Sequence, residues 1–391
     1  MRRWGRRPAP WPDKPASGLR ATVSSVKRGL PLAAGCAILA GFAVVSGLAQ
    51  AAGGSTTTFN VPGVVTAIGA DGPRVAIAVR SSSGCDHAVV WTAPGPASQT
   101  YTAEFSCAGS AAHGITEIAI AGNRVEWVAT ASGNTQDMAL EAATAGRPKV
   151  STVAFGSNAA GAAGLVDGDW IGRLYGDGTL LVFDTWHECA LSRPEGSAPC
   201  GQGLLAGGTV YTKQTLWKLV GLTKAKIRSG ADAFEAVAVD GGRVALQGIR
   251  DGSVIVVDSH GRQLTTGAIT GATSSGTAMQ GTQVVTLRGT SMQVWDASTG
   301  HLNGVVPLPA GKGAAVIRDL QNGVVVYLQG RAVRVARLAD SRQTAFVVPG
   351  RRAVDAQIEA PGLFYAYNAT SGSSRGRVVF VPWATLVAKL H

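Results

Sequence analysis

The motifs this chain lacks narrow its chemistry first. No GxxxxGK[ST] phosphate loop occurs in its 391 residues, which removes the common signature of P-loop nucleotide enzymes. No CxxC pair or mixed Cys/His spacing of zinc type is present. His187-Glu188 opens like HExxH, but the fifth residue is Leu191, so a helix-borne zinc pair fails. After Val64 no long stretch repeats apolar residues at helical spacing; short apolar alternations between turn residues run on instead.

Acidic residues are fewer than basic ones, 24 against 35, giving a formal charge of +11. A nucleic-acid binder needs a basic footprint on its folded part, and the excess is not there. Residues 1–28 hold six Arg and two Lys against Asp13, a net of +7, and residues 29–51 carry no charge, leaving +4 after Ala51. Nucleic acid is therefore not an expected partner.

The same N-terminal stretch reads as an export signal. A basic, Pro- and Ser-rich lead precedes LPLAAGCAILAGFAVVSGLA at 30–49, and Ala49-Gln50-Ala51 fits a small-x-small cleavage site. The apolar run is also long enough to span a bilayer. Residues 1–51 are expected to be a signal peptide or an N-terminal signal anchor, with the body outside in either case. A lipidated Cys36 fits poorly, because most of the apolar run lies after it. The body is thus exported, extracellular or in the cell envelope, with any membrane contact made through residues 30–49.

The body, 52–391, is organised around residues 234–306. FEAVAVDGGRVALQGIRDGSVIVVDSHGRQL and MQGTQVVTLRGTSMQVWDASTGHL each read as short strands separated by Gly turns. Gly252 to Gly289 is 37 residues and Gly289 to Gly330 is 41. A period near 40 with about four strands per unit is the signature of propeller blades. The expected fold is all-β: a single β-propeller of seven four-stranded blades, with eight as the alternative. The last unit is one strand short, and TTTFNVPG near the N-terminus could supply it and close the ring. Between Gly178 and Gly252 the spacing is 74 residues, read as one blade carrying an insertion at about 184–214 rather than as an extra blade.

Two stretches add a resemblance. VWDASTGHL at 294–302 resembles the strand-end pattern of WD40 repeats, and VVDSHGRQL at 256–264 resembles PQQ-like and TolB-like blades. The WD40 pattern is otherwise missing, since no Gly-His pair opens a repeat. The body is also similar to exported propeller proteins of actinobacterial type, whose final blade reads like GLFYAY…GRVVFVPW; that similarity brings no assigned activity. Among propeller enzymes, a quinoprotein would imply adjacent cysteines and a sialidase SxDxGxxW boxes, and neither occurs. A lactonase-like hydrolase with a central metal, calcium in particular, stays open as the alternative function.

Four cysteines follow the N-terminal segment. Loops joining second to third strands, and fourth strands to the next blade, emerge on one face of a meander, so Cys85 is expected to bond Cys107 and Cys189 to bond Cys200. The insertion adds the candidate ligand-binding residues Asp184, Trp186, His187, Glu188 and Arg193, since stapled loops on a rigid scaffold often carry recognition. The remaining histidines read as turn residues, and Asp71, Asp167, Asp177, Asp240, Asp251, Asp258 and Asp296 as mostly turn or strand-end residues whose side chains bond nearby backbone. Most tryptophans are expected to pack between blades. No catalytic, cofactor-binding or metal-ligating residue is assigned. The expected function is a non-catalytic, monomeric binding scaffold for a protein, peptide or cell-surface ligand.

Overall fold

The turns set where each strand ends. Two-residue hairpin loops of the mirror type need positive φ at both positions, and the chain supplies residues that tolerate it. Gly241 and Gly242 lie at φ 54° and 79°, and Asn322 and Gly323 at 50° and 68°. The computed structural model describes residues 54–390 apart from 83, 108–111, 134, 159–166, 192–199, 201, 207, 231–233, 268, 271–275, 312, 350–351 and 370–374. The export segment at 1–51 and Arg193 lie outside the described residues.

β1 (Thr57–Pro62) pairs with the last strand of the chain. β2 (Val64–Asp71), β3 (Arg74–Arg80), β4 (Cys85–Thr92) and β5 (Ser98–Cys107) form a four-stranded meander. β6 (Ala112–Ala121), β7 (Arg124–Ser132), β8 (Gln136–Thr144) and β9 (Val150–Asn158) follow as a second. That meander is continuous with β10 (Asp167–Asp177), β11 (Leu180–Ala190), β12 (Leu204–Ala206), β13 (Thr209–Val220) and β14 (Thr223–Ser229). β15 (Phe234–Asp240), β16 (Arg243–Gly248) and β17 (Val254–Asp258) make a three-stranded sheet. Two four-stranded sheets come next: β18 (Thr277–Gln280) to β21 (Leu302–Pro307) through β19 (Gln283–Arg288) and β20 (Ser291–Asp296), then β22 (Ala315–Gln321), β23 (Val324–Gln329), β24 (Ala332–Arg337) and β25 (Gln343–Val347). Finally β26 (Ala353–Glu359), β27 (Gly362–Asn368) and β28 (Arg375–Pro382) take β1 as their fourth strand, and a short helix, α1 (Trp383–Ala388), ends the chain.

The expected seven separate four-stranded blades, with eight as the alternative, do not hold. Among the described residues hydrogen bonding sorts the strands into six sheets: four of four strands, one of three and one of nine. The nine-stranded sheet arises where β9 meets β10 at Gly168 and Asn158. A Cβ at Gly168 would stand 2.2 Å from the Ser157 carbonyl oxygen, so only glycine allows that approach. The three-stranded sheet has a broken outer edge. Among the described residues, those after β17 meet it as isolated bridges at Val257–Gln263 and Val254–Ile269 rather than as a strand. The Leu264 amide donates to the Val256 carbonyl at 2.8 Å, and the Val256 amide donates to the hydroxyl of the buried Thr265 at 3.4 Å.

The insertion adds no sheet of its own. β11 and β13 pair from Val182–Lys218 to Ala190–Thr209, and β12 lies against β13. The expected closure is present, with β1 and β28 antiparallel from Thr57–Phe380 to Pro62–Arg375. The first strands pack in a circle, β2 on β6, then β10, β15, β18, β22 and β26, which returns to β2. The architecture is a β-propeller, in which ring closure leaves only short sheet edges at the rim.

Apolar clusters fill the spaces between neighbouring sheets. Phe59 of β1 stacks on the buried Trp91 with centroids 5.1 Å apart, and Tyr101 stacks on the buried Trp127 at 6.0 Å. Trp91, Trp127 and Trp295 thus pack as expected, while Trp170, Trp186 and Trp217 are only half-buried. Both expected disulfides are formed, Cys85–Cys107 and Cys189–Cys200.

The first bond links residues 22 apart, so opening it releases chain entropy to the unfolded state. Replacing Cys85 and Cys107 together by alanine should lower the unfolding free energy by about 3 kcal/mol, measured by guanidinium titration of the oxidised protein. An unchanged midpoint would show that the bond carries no stability.

Candidate functional site

The axis of the ring is hollow. A cavity of about 340 Å³ runs between the first strands of the sheets. Its lining is set by register irregularities that recur along those strands, at Val65/Ala67, Ile115/Glu117, Ile171/Leu174, Ala236/Ala238, Ile317/Asp319 and Ala353/Asp355. A bulge adds one residue and re-aims the side chains beside it. Here polar groups meet the axis: Glu117, Asp177, Glu235, Asp240, Asp319, Asp355 and Glu359 line the cavity against Arg173 and Arg318.

At the turn end of the cavity these carboxyls hold the ring together. The Gly72 N–H donates to Glu359 Oε2 at 3.3 Å, and Asp71 accepts from Gly122 at 2.5 Å and from Gly178 at 3.1 Å. Asp177 accepts from Gly241 at 2.7 Å, and Asp240 from Gly281 at 2.6 Å. The Gln280 side chain donates to Gln321, and Asp319 accepts from the Ile358 amide at 2.9 Å. Each bond joins one sheet to another. Asp251, Asp258 and Asp296 do close their own turns as expected. Asp71, Asp177 and Asp240 instead cap the turns of other sheets.

Burial governs the charge of this lining. Desolvation pushes Glu117 up to about 7, with Arg173 pulling it back. It pushes Asp319 up to about 7 against the Ile358 and Leu320 amide bonds, and Glu359 up to about 9 with the Asp319 charge adding to the rise. Asp177 and Asp355 are raised by the same cause, which Gly241 opposes at Asp177 and Arg318 at Asp355. Arg318 Nε lies 3.3 Å from Asp355 Oδ1.

Towards the opposite end a second cavity of about 300 Å³, the mouth, adjoins it, and Glu117, Arg173 and Glu235 line both. The rest of its wall includes Trp170, Trp186, Met138 and Thr130. Trp170 and Trp186 are opposite one another on β10 and β11, which brings the two indoles to one side of the hairpin. The Trp186 N–H donates to Glu188 Oε1 at 2.6 Å. His187 stands between Asp169 at 2.9 Å and Asp167 at 3.3 Å. Asp184 is held apart from these residues. It is buried beneath the hairpin, accepts the Ala236 amide at 3.0 Å, and burial raises its pKa to about 8. A Cβ on Gly172 would meet its Oδ1 at 1.8 Å, so glycine opposite makes room for the carboxyl. The structure therefore gathers Trp186, His187 and Glu188 at the base of the hairpin, places Asp184 inside, and leaves Arg193 outside the described residues.

Several groups escaped sequence reasoning. Trp170, Glu117, Arg173 and Glu235 looked like ordinary strand residues, and only register and bulges bring them together. His113, read as a turn histidine, pairs instead with the buried Asp86 at 2.8 Å, which also accepts from the Ser106 hydroxyl and, at 2.8 Å, the Ser81 amide. Calcium takes six to eight oxygens at close range. Among the described residues no group of three or more His, Cys, Asp or Glu is disposed to hold a metal ion, and the turn-end carboxylates already accept backbone amides.

The sequence matches no family model and no curated protein. Solved structures with a similar course of chain include BamB from Moraxella catarrhalis, 10% identical, covering 81% of this chain and 86% of that one, with a TM-score of 0.44. Sqt1 from Saccharomyces cerevisiae is 11% identical, covering 83% of this chain and 98% of its own, also at 0.44. The WD40-like, PQQ-like and TolB-like stretches stand as local resemblances around β17 and β20.

The raised carboxyls fix the sign of a pH dependence. A carboxyl whose pKa is higher in the folded state binds its proton more tightly there, so its contribution to stability is full below about pH 4. It is lost as pH rises through the folded value. Asp184, raised from 3.8 to about 8, should make the protein less stable at pH 8 than at pH 5. Asp184→Asn keeps an oxygen for the Ala236 amide and removes the titration. Urea midpoints should fall less steeply with pH in this variant; an identical slope would show that Asp184 does not titrate in this range.

Proposed function

We propose that this chain is an exported, non-catalytic β-propeller that serves as a binding scaffold for a protein, peptide or cell-surface ligand. One observation carries the reading: the stapled β11–β13 hairpin rises from the cavity mouth beside the Trp170–Trp186 pair. Leu191 and Leu205 near its tip are 54% and 55% exposed, an arrangement suited to contact rather than to core packing. Its base carries Trp186, His187 and Glu188, and Arg193 belongs to the same segment.

The two disulfides support an oxidising compartment, in keeping with an export signal at 1–51 that is cut after Ala51 or kept as an anchor. In this reading the scaffold is monomeric, needs no cofactor, and touches a membrane only through residues 30–49. The carboxyls of the axis support a structural role at the turn end, where backbone amides occupy them.

Replacing 187–202 by a short Gly/Ser turn tests the reading against cell-envelope preparations, with and without protease treatment. The variant loses the Cys189–Cys200 bond and the paired end of β11, so it should still unfold in one cooperative transition, at a lowered midpoint, and lose retention at least tenfold. Wild-type retention by a folded variant would remove the hairpin from function. Protease treatment that abolishes retention identifies a protein ligand.

A further inference from the structure

The mouth and the axial cavity share Glu117, Arg173 and Glu235 and differ in the rest of their lining, an aromatic entrance and an acidic floor. We propose that together they receive a lysine or arginine side chain from a bound peptide. The alkyl stem lies against Trp170, Trp186 and Met138, and the cationic head points towards Glu117 and Glu235. This rests on the binding-scaffold reading and names the chemistry that the scaffold selects.

Size, charge and unused hydrogen-bonding groups converge on that occupant. The mouth's 300 Å³ lies at the lower end of ligand pockets, suited to one side chain. Seven carboxyls line the cavity beneath it against two guanidiniums; backbone amides occupy those at the turn end, Arg318 is beside Asp355, and Glu117 and Glu235 share the one remaining guanidinium, Arg173. A cation entering this enclosed, low-dielectric space is attracted more strongly than in water, and indole faces attract it on the way in. Thr277 lines the same cavity, is 3% exposed, and its hydroxyl has no hydrogen-bond partner. Buried polar groups are normally satisfied, and this oxygen can accept from an ammonium or guanidinium. At the entrance the buried Trp170 N–H also lacks an acceptor. A peptide carbonyl next to the inserted side chain would supply one, which a free amine would not.

Calorimetry with the peptides Ac-Gly-Gly-Lys-Gly-Gly-amide and its arginine counterpart tests this on the full folded chain. Norleucine and acetyl-lysine peptides serve as uncharged controls, and pentylamine as the free cation. The lysine and arginine peptides should bind at least tenfold tighter than both uncharged peptides, a comparison that needs no variant. Glu117→Gln with Glu235→Gln should remove that preference, and Trp170→Phe should weaken the lysine peptide but not pentylamine. Equal binding of the norleucine peptide, unchanged affinity in the glutamine variant, or pentylamine matching the lysine peptide would each overturn the proposal. Should these peptides fail while hairpin replacement still abolishes envelope binding, the specificity assigned here falls and the scaffold reading stands. If hairpin replacement leaves envelope binding intact, the scaffold reading falls by its own test.

Discussion

The ring depends on carboxylates that reach from one sheet to the turn amides of another. A closed circle of sheets must fix the angle between neighbours, and apolar packing alone is non-directional. The bonds from Glu359 to Gly72, Asp71 to Gly122 and Gly178, Asp177 to Gly241 and Asp240 to Gly281 supply that direction. Asp71 serves two turns because β6 ends in Ala121, which has no acceptor to offer the next sheet. Where the belt uses neutral groups, Gln280 and Gln321 join β18 to β22. Hydrogen bonds to ionised acceptors are stronger than neutral ones, and the turn glycines bring their amides close to the axis.

Gathering acids in one place carries an electrostatic cost. Like charges held together, and cut off from water, raise one another's pKa. Glu359 and Asp319 show the result, each raised by burial, with the Asp319 charge adding to the rise at Glu359. The ring therefore holds some of its acids neutral near pH 7, so the same groups that orient the sheets limit how much negative charge the axis displays. Arg173 and Arg318 balance the other end, where Arg173 lowers Glu117 and Arg318 lowers Asp355.

What could be read from residues alone follows from this division of labour. The disulfides were legible, because meander topology puts Cys85 with Cys107 and Cys189 with Cys200 on one face whatever the sheet count. The blade count was not. A glycine at 168 that lets β9 meet β10, and a Thr265 that interrupts the edge beside β17, look like ordinary turn and strand residues. Asp71 and Asp251 both precede a glycine, yet one spans sheets and the other closes its own turn. The distinguishing signal is position, since an acid or amide ends six of the inner strands immediately before the turn: Asp71, Asp177, Asp240, Gln280, Gln321 and Glu359. The bulges are harder still, because one extra residue in a run such as Ile115-Thr116-Glu117 leaves the apolar pattern nearly intact while turning Glu117 to the axis.

The two ends of the axis differ in what the fold leaves free. At the turn end backbone amides occupy the carboxylates, and replacing one would disturb the ring itself. At the mouth Glu117 and Glu235 hold no turn in place, Thr277 and Trp170 carry unused hydrogen-bonding groups, and the wall is completed by the one hairpin that departs from the repeat. Binding specificity can change there without unstitching the ring. The stretch from Phe234 to Val306 supplies frame despite its three-stranded sheet, and Glu235, at its edge, is the point where that frame enters the mouth.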